Sequence, residues 1–231
     1  SVYHLPEDSD ALLADLRGCG VWHIHFPQVM GGARWAALPA QLGCSYDVTA
    51  HDYALFCPRI DLIDEAGRYC GEPAVDICER CIALNLPHPD LRAAYRDRGG
   101  SMTAWLGLHR RLLAGARRVF APSRDTAERV SRHFPGIVCT PRRPPEPARR
   151  IAIRRPAWGA VAGVAVIGAI GTNKGSELLL ACARDAEKQG LPIQFRLFGY
   201  AADDAALRRL SNVCVAGEYR RDDLPRLLAE Y

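Results

Sequence analysis

Lysine is almost missing from this chain of 231 residues. Among its 30 basic residues only Lys174 and Lys188 are lysines, and all the others are arginines. Lys174 therefore stands out, because it lies inside a glycine-rich turn. The net charge of +4 is too small to indicate a nucleic acid as the partner.

Long apolar runs are missing as well. No stretch approaches the roughly 20 apolar residues that a membrane span requires. The longest run, residues 159–171, is short and interrupted by glycines, so we predict a strand buried on both faces of a sheet. The amino terminus has neither an initiating methionine nor a signal segment, as expected of a fragment or a trimmed chain.

The nine cysteines are too unevenly spaced for a secreted disulfide framework. Five of them lie singly in apolar or strand-like surroundings, where a reduced and buried thiol is the usual state. These five are Cys19, Cys44, Cys139, Cys182 and Cys214. The pattern favours a reducing compartment, and we predict a cytoplasmic protein.

Strand and helix signals alternate along most of the chain, which is typical of a parallel sheet covered by helices. In the first part we predict strands near residues 21–26, 46–50 and 117–123, and helices over residues 31–43 and 102–116. The second helix has Trp105, Leu108, Leu112 and Leu113 on one face.

The prediction is an α/β fold with two Rossmann-like parallel-sheet domains, both incomplete in this chain. The amino-terminal domain covers residues 1–139 and contains a cysteine-rich insertion at about residues 57–81. Residues 140–158 are rich in proline and arginine, which is typical of a stiff linker; a phosphate- or lipid-facing arm is the alternative. Residues 159–231 form a partial carboxy-terminal domain.

Four cysteines cluster after the second strand, at Cys57, Cys70, Cys78 and Cys81. Four thiolates suit closed tetrahedral zinc, and a loop rich in glycine, proline and charge needs the folding energy that a metal supplies. We predict structural zinc; an iron–sulfur cluster and four reduced thiols are the alternatives. No catalytic metal is expected, because cysteine would fill every coordination position.

Polar side chains follow the predicted strands, where ligands bind in open parallel sheets. His51 can transfer a proton or bind a sugar hydroxyl; a histidine bonded to the backbone is the alternative. Asp52 points elsewhere and forms no dyad with it. A packing role is favoured for His23 and His25. Ser123 is expected to cap a helix, with a hydroxyl near the cleft as the alternative.

The turn "GAIGTNKG" follows the predicted strand of the second domain. Its glycines let the backbone approach a phosphate, the next helix offers free N–H groups, and a lysine adds a positive charge. The candidate phosphate-binding residues are Gly168, Gly171, Asn173, Lys174 and Gly175. The spacing fits neither a P-loop nor a dinucleotide fingerprint, so a plain tight turn remains the alternative.

The basic amphipathic segment "WLGLHRRLLAGARR" could lie on an anionic membrane surface. Packing of this helix on its own sheet is the favoured interpretation.

The segments "VWHIHF", "VTAHDY", "RRVFAPSRDTAERV" and "VAVIGAIGTNKGSELLLACA" come in an order that resembles the retaining glycosyltransferases of the GT-B fold, family 4. The run "HDYALFCPRIDLID…GRYCGEP…C..C" is similar to a bacterial branch of that family whose members carry cysteines at this place. The resemblance implies two domains that face each other across a cleft. One would hold a glycan or lipid-linked acceptor, beside His23, His25, Asp52 and Ser123, and the other a nucleotide-sugar donor.

The same resemblance implies roles for single residues. His51 matches a histidine near the transferred sugar, and Lys174 matches a lysine that contacts the donor diphosphate. Such enzymes need no catalytic metal, because basic side chains and a helix terminus stabilise the departing diphosphate. A peripheral location at the inner membrane would suit a lipid-linked acceptor.

The chain also departs from the family pattern. Ala169 stands where many relatives carry an arginine that contacts phosphate, and the acidic E-x7-E region is expected downstream of Tyr231. The usual first strand is expected upstream of Ser1, so weak activity or none is expected of this fragment. A non-catalytic zinc-bearing interaction module on a degenerate transferase scaffold is the alternative. A sugar-nucleotide epimerase is disfavoured, because no dinucleotide fingerprint is visible.

Overall fold

A computed structural model of the protein describes residues 9–17, 19–25, 43–84, 95–96, 99–143 and 161–228. The chain divides into two compact units, Ser1–Pro145 and Glu146–Tyr231. Each unit contains a sheet whose strand pairs are all parallel, with four strands in the first and three in the second. The predicted α/β architecture with two parallel sheets is therefore confirmed.

The first unit alternates helices and strands around a sheet of order β1-β2-β3-β4. Its elements are α1 (Ser9–Arg17), β1 (Val21–His25), β2 (Ser45–Thr49), α2 (Val75–Leu84), α3 (Met102–Gly115), β3 (Arg118–Ala121), α4 (Arg124–His133) and β4 (Cys139–Pro141). The helix predicted over residues 31–43 lies outside the described residues, apart from its last residue. Strand β4 extends two residues into the predicted linker, where a proline is tolerated because β4 is an edge strand of the described sheet.

Helix α3 supplies the largest buried side chain of the first unit. Ser101 caps the helix by accepting a hydrogen bond from the N–H of Ala104 at 3.1 Å. The predicted apolar face is confirmed, since Trp105, Leu108, Leu112 and Leu113 are all buried. The indole of Trp105 also donates a hydrogen bond to the carbonyl of Ala54 at 2.9 Å, which ties α3 to the turn after β2.

Strand β2 is fixed to its neighbours by two polar contacts. The hydroxyl of Tyr46 donates to the carbonyl of Leu112 at 2.6 Å. The carboxylate of Asp47 accepts two hydrogen bonds from Arg117, at 3.0 and 2.9 Å. Gly115 permits the first of these contacts, because a Cβ there would lie only 2.5 Å from the hydroxyl of Tyr46.

The second unit contains a sheet of order β5-β6-β7. Its elements are β5 (Ala162–Ile170), a 3-10 turn (Thr172–Lys174), α5 (Ser176–Lys188), β6 (Ile193–Ala201), α6 (Asp204–Arg208), β7 (Val213–Gly217), a second 3-10 turn (Arg221–Asp223) and α7 (Leu224–Leu227). Phe195, Leu197 and Phe198 of β6 are buried, so the core of this unit lies along its central strand.

The prediction that the first strand of this unit is buried on both faces is wrong. None of the nine residues of β5 is buried, and Val164 and Ile167 are 37% and 39% exposed. The reason is positional: among the described strands, β5 pairs with β6 alone and lies at the edge of the sheet. An apolar sequence shows that a strand is suited to burial, but its neighbours decide whether burial occurs.

The prediction of buried thiols is also wrong for three of the five single cysteines. Cys19, Cys182 and Cys214 are exposed, because they lie in a turn, on the outer side of α5 and on the open face of β7. Cys44 and Cys139 are partly buried, and burial raises the pKa of the Cys139 thiol to about 11. All nine cysteines are free thiols.

Candidate functional site

His51 lies just beyond the carboxyl end of β2. Strand pairing continues to Ala50, whose N–H donates to the carbonyl of Phe120 at 2.8 Å, and the chain then turns away from the sheet. The side chain of His51 is exposed at this point. An exposed imidazole at the carboxyl end of a parallel strand is available to a ligand, as the position requires.

Asp52 shapes the turn that follows. Its carboxylate accepts a hydrogen bond from the N–H of Ala54 at 2.8 Å, which is the contact of an Asx turn. Burial raises the pKa of Asp52, while that hydrogen bond and the charge of His51 act in the opposite direction. The side chain of Asp52 therefore folds back onto its own backbone.

The side chain of His23 is exposed and contacts the two neighbouring strands of the first unit. Its Nε2 lies 2.7 Å from the hydroxyl of Thr49, and its ring stacks on Phe120 at a centroid distance of 6.0 Å. The backbone of His25 pairs with Thr49 at the carboxyl end of β1. The side chain of His25 lies outside what the structure describes.

Ser123 caps helix α4, as predicted. Its hydroxyl oxygen accepts a hydrogen bond from the N–H of Thr126 at 3.1 Å and lies 2.9 Å from the hydroxyl of that residue. Ser123 follows β3, which is parallel to β2, so it lies at the same edge of the sheet as His51.

The four clustered cysteines line one cavity of about 120 Å³. Two of them, Cys57 and Cys70, belong to the segment of residues 57–73, called here the cysteine loop. The other two, Cys78 and Cys81, lie on α2. Apolar side chains also line the cavity, including Phe56, Leu62, Ile82 and Met102. All four thiols therefore border the same cavity.

The thiols interact with one another electrostatically. Burial raises the pKa of Cys57 to about 12, and the N–H groups of Arg59 and Leu62, which donate to its sulfur, oppose that shift. Burial also raises the pKa of Cys70, Cys78 and Cys81. The negative charge of Cys70 would raise the pKa of each of the other three, which shows that it is near all of them.

No group of three or more histidine, cysteine, aspartate or glutamate side chains within the described ranges is already arranged to hold a metal ion. Zinc at the four cysteines therefore stays a prediction at this point.

The cysteine loop has an unusual backbone. Three residues other than glycine have a positive φ: Ile60 at 65°, Leu62 at 59° and Glu72 at 55°. This conformation is unfavourable for side chains with a Cβ, above all for the β-branched Ile60. Short-range hydrogen bonds hold it, for example from the N–H of Cys70 to the carbonyl of Leu62 at 2.9 Å.

A buried carboxylate attaches the cysteine loop to α4, and the sequence did not reveal it. The side chain of Glu72 is 3% exposed and forms ion pairs with Arg129 and, at 3.5 Å, with Arg132. Its carboxylate also accepts hydrogen bonds from the hydroxyl of Tyr69 at 2.7 Å and from Nε2 of His133 at 2.8 Å. The sequence did contain one indication of this contact. Arg129, Arg132 and His133 are spaced i, i+3, i+4, so they form a basic face on α4.

The surroundings of His133 favour its neutral form. Burial, together with the charges of Arg132 and Arg129, lowers the pKa of His133 below its usual value. Because a carboxylate only accepts hydrogen bonds, Nε2 must carry the proton that it donates to Glu72. The ring also stacks on Phe56, with centroids 4.2 Å apart.

In the second unit, the turn after β5 leads directly into α5. Gly171 precedes the 3-10 turn, and Gly175, at φ 82°, connects that turn to the helix. The side chains of Asn173 and Lys174 are exposed. Gly168 lies within β5 opposite Gly199. A Cβ on Gly199 would lie 2.1 Å from the carbonyl oxygen of Gly168, so Gly199 serves close strand packing. Gly168 is suited to its positive φ of 114°.

Several N–H groups of this turn are already engaged. Those of Lys174 and Ser176 donate to the carbonyl of Gly171 at 2.9 and 3.2 Å, and that of Gly175 donates to Thr172 at 3.2 Å. Among the described residues, the N–H groups of Glu177 and Leu178 donate to no carbonyl of the turn before the helix. An anion at this site would therefore meet the first turn of α5 and the ammonium group of Lys174.

A scan against protein-family models finds no match to this chain, and a search of curated proteins finds no significant match. Across the part of the chain that the structure describes, each helix is too short or too polar to cross a membrane.

Proposed function

We propose that this chain is a fragment of a retaining glycosyltransferase of the GT-B type, an enzyme that transfers a sugar from a nucleotide-sugar donor to a glycan or lipid-linked acceptor. One observation carries the proposal. Each unit has a parallel sheet, and in each a residue expected from the family resemblance lies just beyond the carboxyl end of a strand: His51 after β2 and Lys174 after β5. Ligands of such sheets bind at these ends.

Lys174 and the start of α5 would bind the donor diphosphate. Helix α5 has 13 residues, so the positive end of its dipole is well developed. Its first-turn N–H groups and the exposed ammonium of Lys174 would meet the phosphate oxygens and stabilise the charge that develops as the diphosphate departs. No metal is required for this step.

His51 would act on the sugar side of the reaction. Its exposed imidazole can donate a hydrogen bond to, or accept one from, a hydroxyl of the transferred sugar. Asp52 would hold the turn that presents His51, because its carboxylate bonds to the backbone of Ala54. Ser123 would have a similar supporting role as the cap of α4.

The proposal includes a cytoplasmic location, with peripheral contact at the inner membrane for a lipid-linked acceptor. The apolar face of α3 is buried within the first unit, so this helix would meet a membrane through exposed residues such as Arg110 and Arg111. Such contact would be electrostatic and therefore sensitive to salt.

A second candidate is a non-catalytic zinc-bearing interaction module on the same scaffold. Ala169 favours it, because this residue of β5 supplies no charge where many family members carry an arginine. The two candidates differ in one property that can be measured, which is the binding of nucleotide sugars.

A thermal-shift screen separates the candidates. The protein is heated with uridine, guanosine, adenosine and thymidine diphosphates and with their sugar conjugates. The transferase proposal expects one nucleotide class to raise Tm in a concentration-dependent way, because a ligand of the folded state stabilises it. If no diphosphate or sugar conjugate raises Tm at millimolar concentration, the transferase proposal is overturned and the interaction module is favoured.

A further inference from the structure

The cavity between the cysteine loop and α2 has the composition of a metal site. Two separate elements each present two thiols to it: Cys57 and Cys70 from the loop, and Cys78 and Cys81 from α2. Zinc–sulfur bonds are about 2.3 Å long, so a tetrahedral site needs its sulfurs at about 3.8 Å from one another. A cavity of about 120 Å³ is small enough for side-chain rotation to bring the sulfurs together.

A buried cation faces the thiols. Arg59 is 7% exposed, lines the same cavity and donates a hydrogen bond to the carbonyl of Asp64 at 3.5 Å. Four thiolates around one divalent cation carry a net charge of about −2, and a buried guanidinium offsets part of that charge.

The cysteine loop is only partly packed. Leu62 is buried in the core of the first unit, but residues 65–69 are exposed, and Tyr69 is 59% exposed. Three unfavourable φ values must also be maintained within this loop. A bound metal supplies folding energy where a hydrophobic core does not.

We propose that Cys57, Cys70, Cys78 and Cys81 bind one zinc ion as four thiolates and thereby cross-link the cysteine loop to α2. Each thiol loses its proton to solvent when its sulfur binds, so the metal takes up four thiolates and four protons are released. With four sulfur ligands the zinc has no open position, and its role is structural. The site is independent of sugar transfer, since it requires no nucleotide.

The zinc would complete a two-sided attachment of the loop. Glu72 already holds the loop against α4 through Arg129 and His133. The zinc would hold Cys57 and Cys70, on either side of the turn at residues 60–69, against α2. Since the loop begins only a few residues after His51, the two attachments together would define the path of the chain away from β2.

Metal analysis of the full chain tests the proposal. The protein, purified without chelators or reloaded with Zn²⁺ after reduction, is expected to contain about one zinc per chain. Replacement of zinc by Co²⁺ is expected to give the intense thiolate-to-cobalt absorption of a tetrahedral sulfur site. In the native zinc-loaded protein, a thiol reagent is expected to modify only cysteines other than the four zinc ligands.

Matched serine variants identify the ligands. Cys57→Ser, Cys70→Ser, Cys78→Ser and Cys81→Ser are each expected to lower zinc content at least severalfold, whereas Cys139→Ser, a partly buried thiol of the same unit, retains it. Because a ligand variant can misfold, the Co²⁺ spectrum of the unsubstituted protein is the independent readout. Failure to bind zinc or cobalt after reloading overturns the proposal, as does stoichiometric iron with inorganic sulfide or a loss of zinc only in Cys139→Ser.

Discussion

The carboxylate of Glu72 lies 2.8 Å from Nε2 of His133, although 61 residues separate the two in the sequence. This contact joins the cysteine loop to α4 and is reinforced by Arg129. Glu72 is thus a buried acid surrounded by donors, and it connects the most irregular segment of the first unit to one of its regular helices.

Removal of the charge of Glu72 is expected to loosen the cysteine loop. Glu72→Gln keeps the shape of the side chain but weakens its contacts to Arg129, Arg132 and His133, so we expect a loss of about 2–3 kcal/mol in the free energy of unfolding. Urea denaturation measures the loss, and limited proteolysis near residues 65–72 reports the loosening.

Glu65→Gln is the control for that prediction, because it changes an exposed carboxylate of the same loop. If both variants unfold at the same urea concentration as the unsubstituted protein, Glu72 does not anchor the loop.

His133 is expected to make stability depend on pH. Its pKa is lowered in the folded protein, so the folded state binds fewer protons than the unfolded state between the two pKa values. This contribution to stability is complete above pH 6.5 and is lost as the pH falls from 6.5 through the lower folded pKa. The slope from this group reaches at most about 1.4 kcal/mol per pH unit.

Denaturation between pH 8 and pH 5 checks this dependence. In His133→Gln the slope below pH 6.5 is expected to decrease, whereas in His51→Gln, an exposed histidine, it is retained. An unchanged slope in His133→Gln would show that this histidine is not the titrating group.

Arg117 is expected to stabilise the first unit through Asp47. The hydrogen bonds and the charge of Arg117 lower the pKa of Asp47, so the contribution is present above the usual aspartate pKa and is lost as the pH falls through the lower folded value. Arg117→Gln should therefore reduce Tm at pH 7 and have little effect near pH 2. We expect a smaller effect than for Glu72→Gln, because Arg117 is half-exposed and solvent screens it.

Arg118→Gln provides the comparison for Arg117, since it removes a neighbouring exposed arginine of β3. Equal losses of Tm in the two variants would mean that net charge, and not the pair with Asp47, explains the effect.

Gly115 is expected to be intolerant of a side chain. In Gly115→Ala the new methyl group would lie 2.5 Å from the hydroxyl of the buried Tyr46, and we expect a loss of about 1–3 kcal/mol from overpacking. Tyr46→Phe removes that oxygen, so the double variant should lose less than the sum of the single variants. Additive losses in a double-mutant cycle would contradict the predicted clash.

Under the proposed transferase function, Lys174 is expected to contribute to binding of the nucleotide-sugar donor. Lys174→Ala should weaken binding of the nucleotide found in the thermal-shift screen by about tenfold or more, because it removes one charge-assisted contact to phosphate. Lys188→Ala is the matched control, since it removes the only other lysine of the chain, at the opposite end of α5. Equal affinities in both variants, measured by titration calorimetry, would exclude Lys174 from the phosphate site.

Local patterns were sufficient for several features. The apolar face of α3 and the capping role of Ser123 follow from side-chain spacing within one or two helical turns. Cys78 and Cys81 are also neighbours for a local reason, because residues three positions apart lie on the same face of a helix. These predictions succeeded because the interacting groups are close in the sequence.

Other features depend on residues that are distant in the sequence. The basic face of α4 is visible in the sequence, but it does not name Glu72 as the acid that it meets. The run of β5 is apolar apart from its glycines, yet the edge position of the strand among the described strands leaves Val164 and Ile167 exposed. In the turn after β5, hydrogen bonds to Gly171 and Thr172 occupy N–H groups that the glycine pattern alone would have assigned to a phosphate.

The order of amino acids alone therefore specified the alternation of strands and helices and the cap of α4, because these depend on hydrophobic period and on short spacings. Three-dimensional packing alone decided which acid meets α4, how far β5 is exposed and which backbone donors remain for a ligand. Those outcomes depend on contacts between segments that are distant in the sequence. The free energy of such contacts belongs to all the neighbours together, so the residues of one segment do not reveal it.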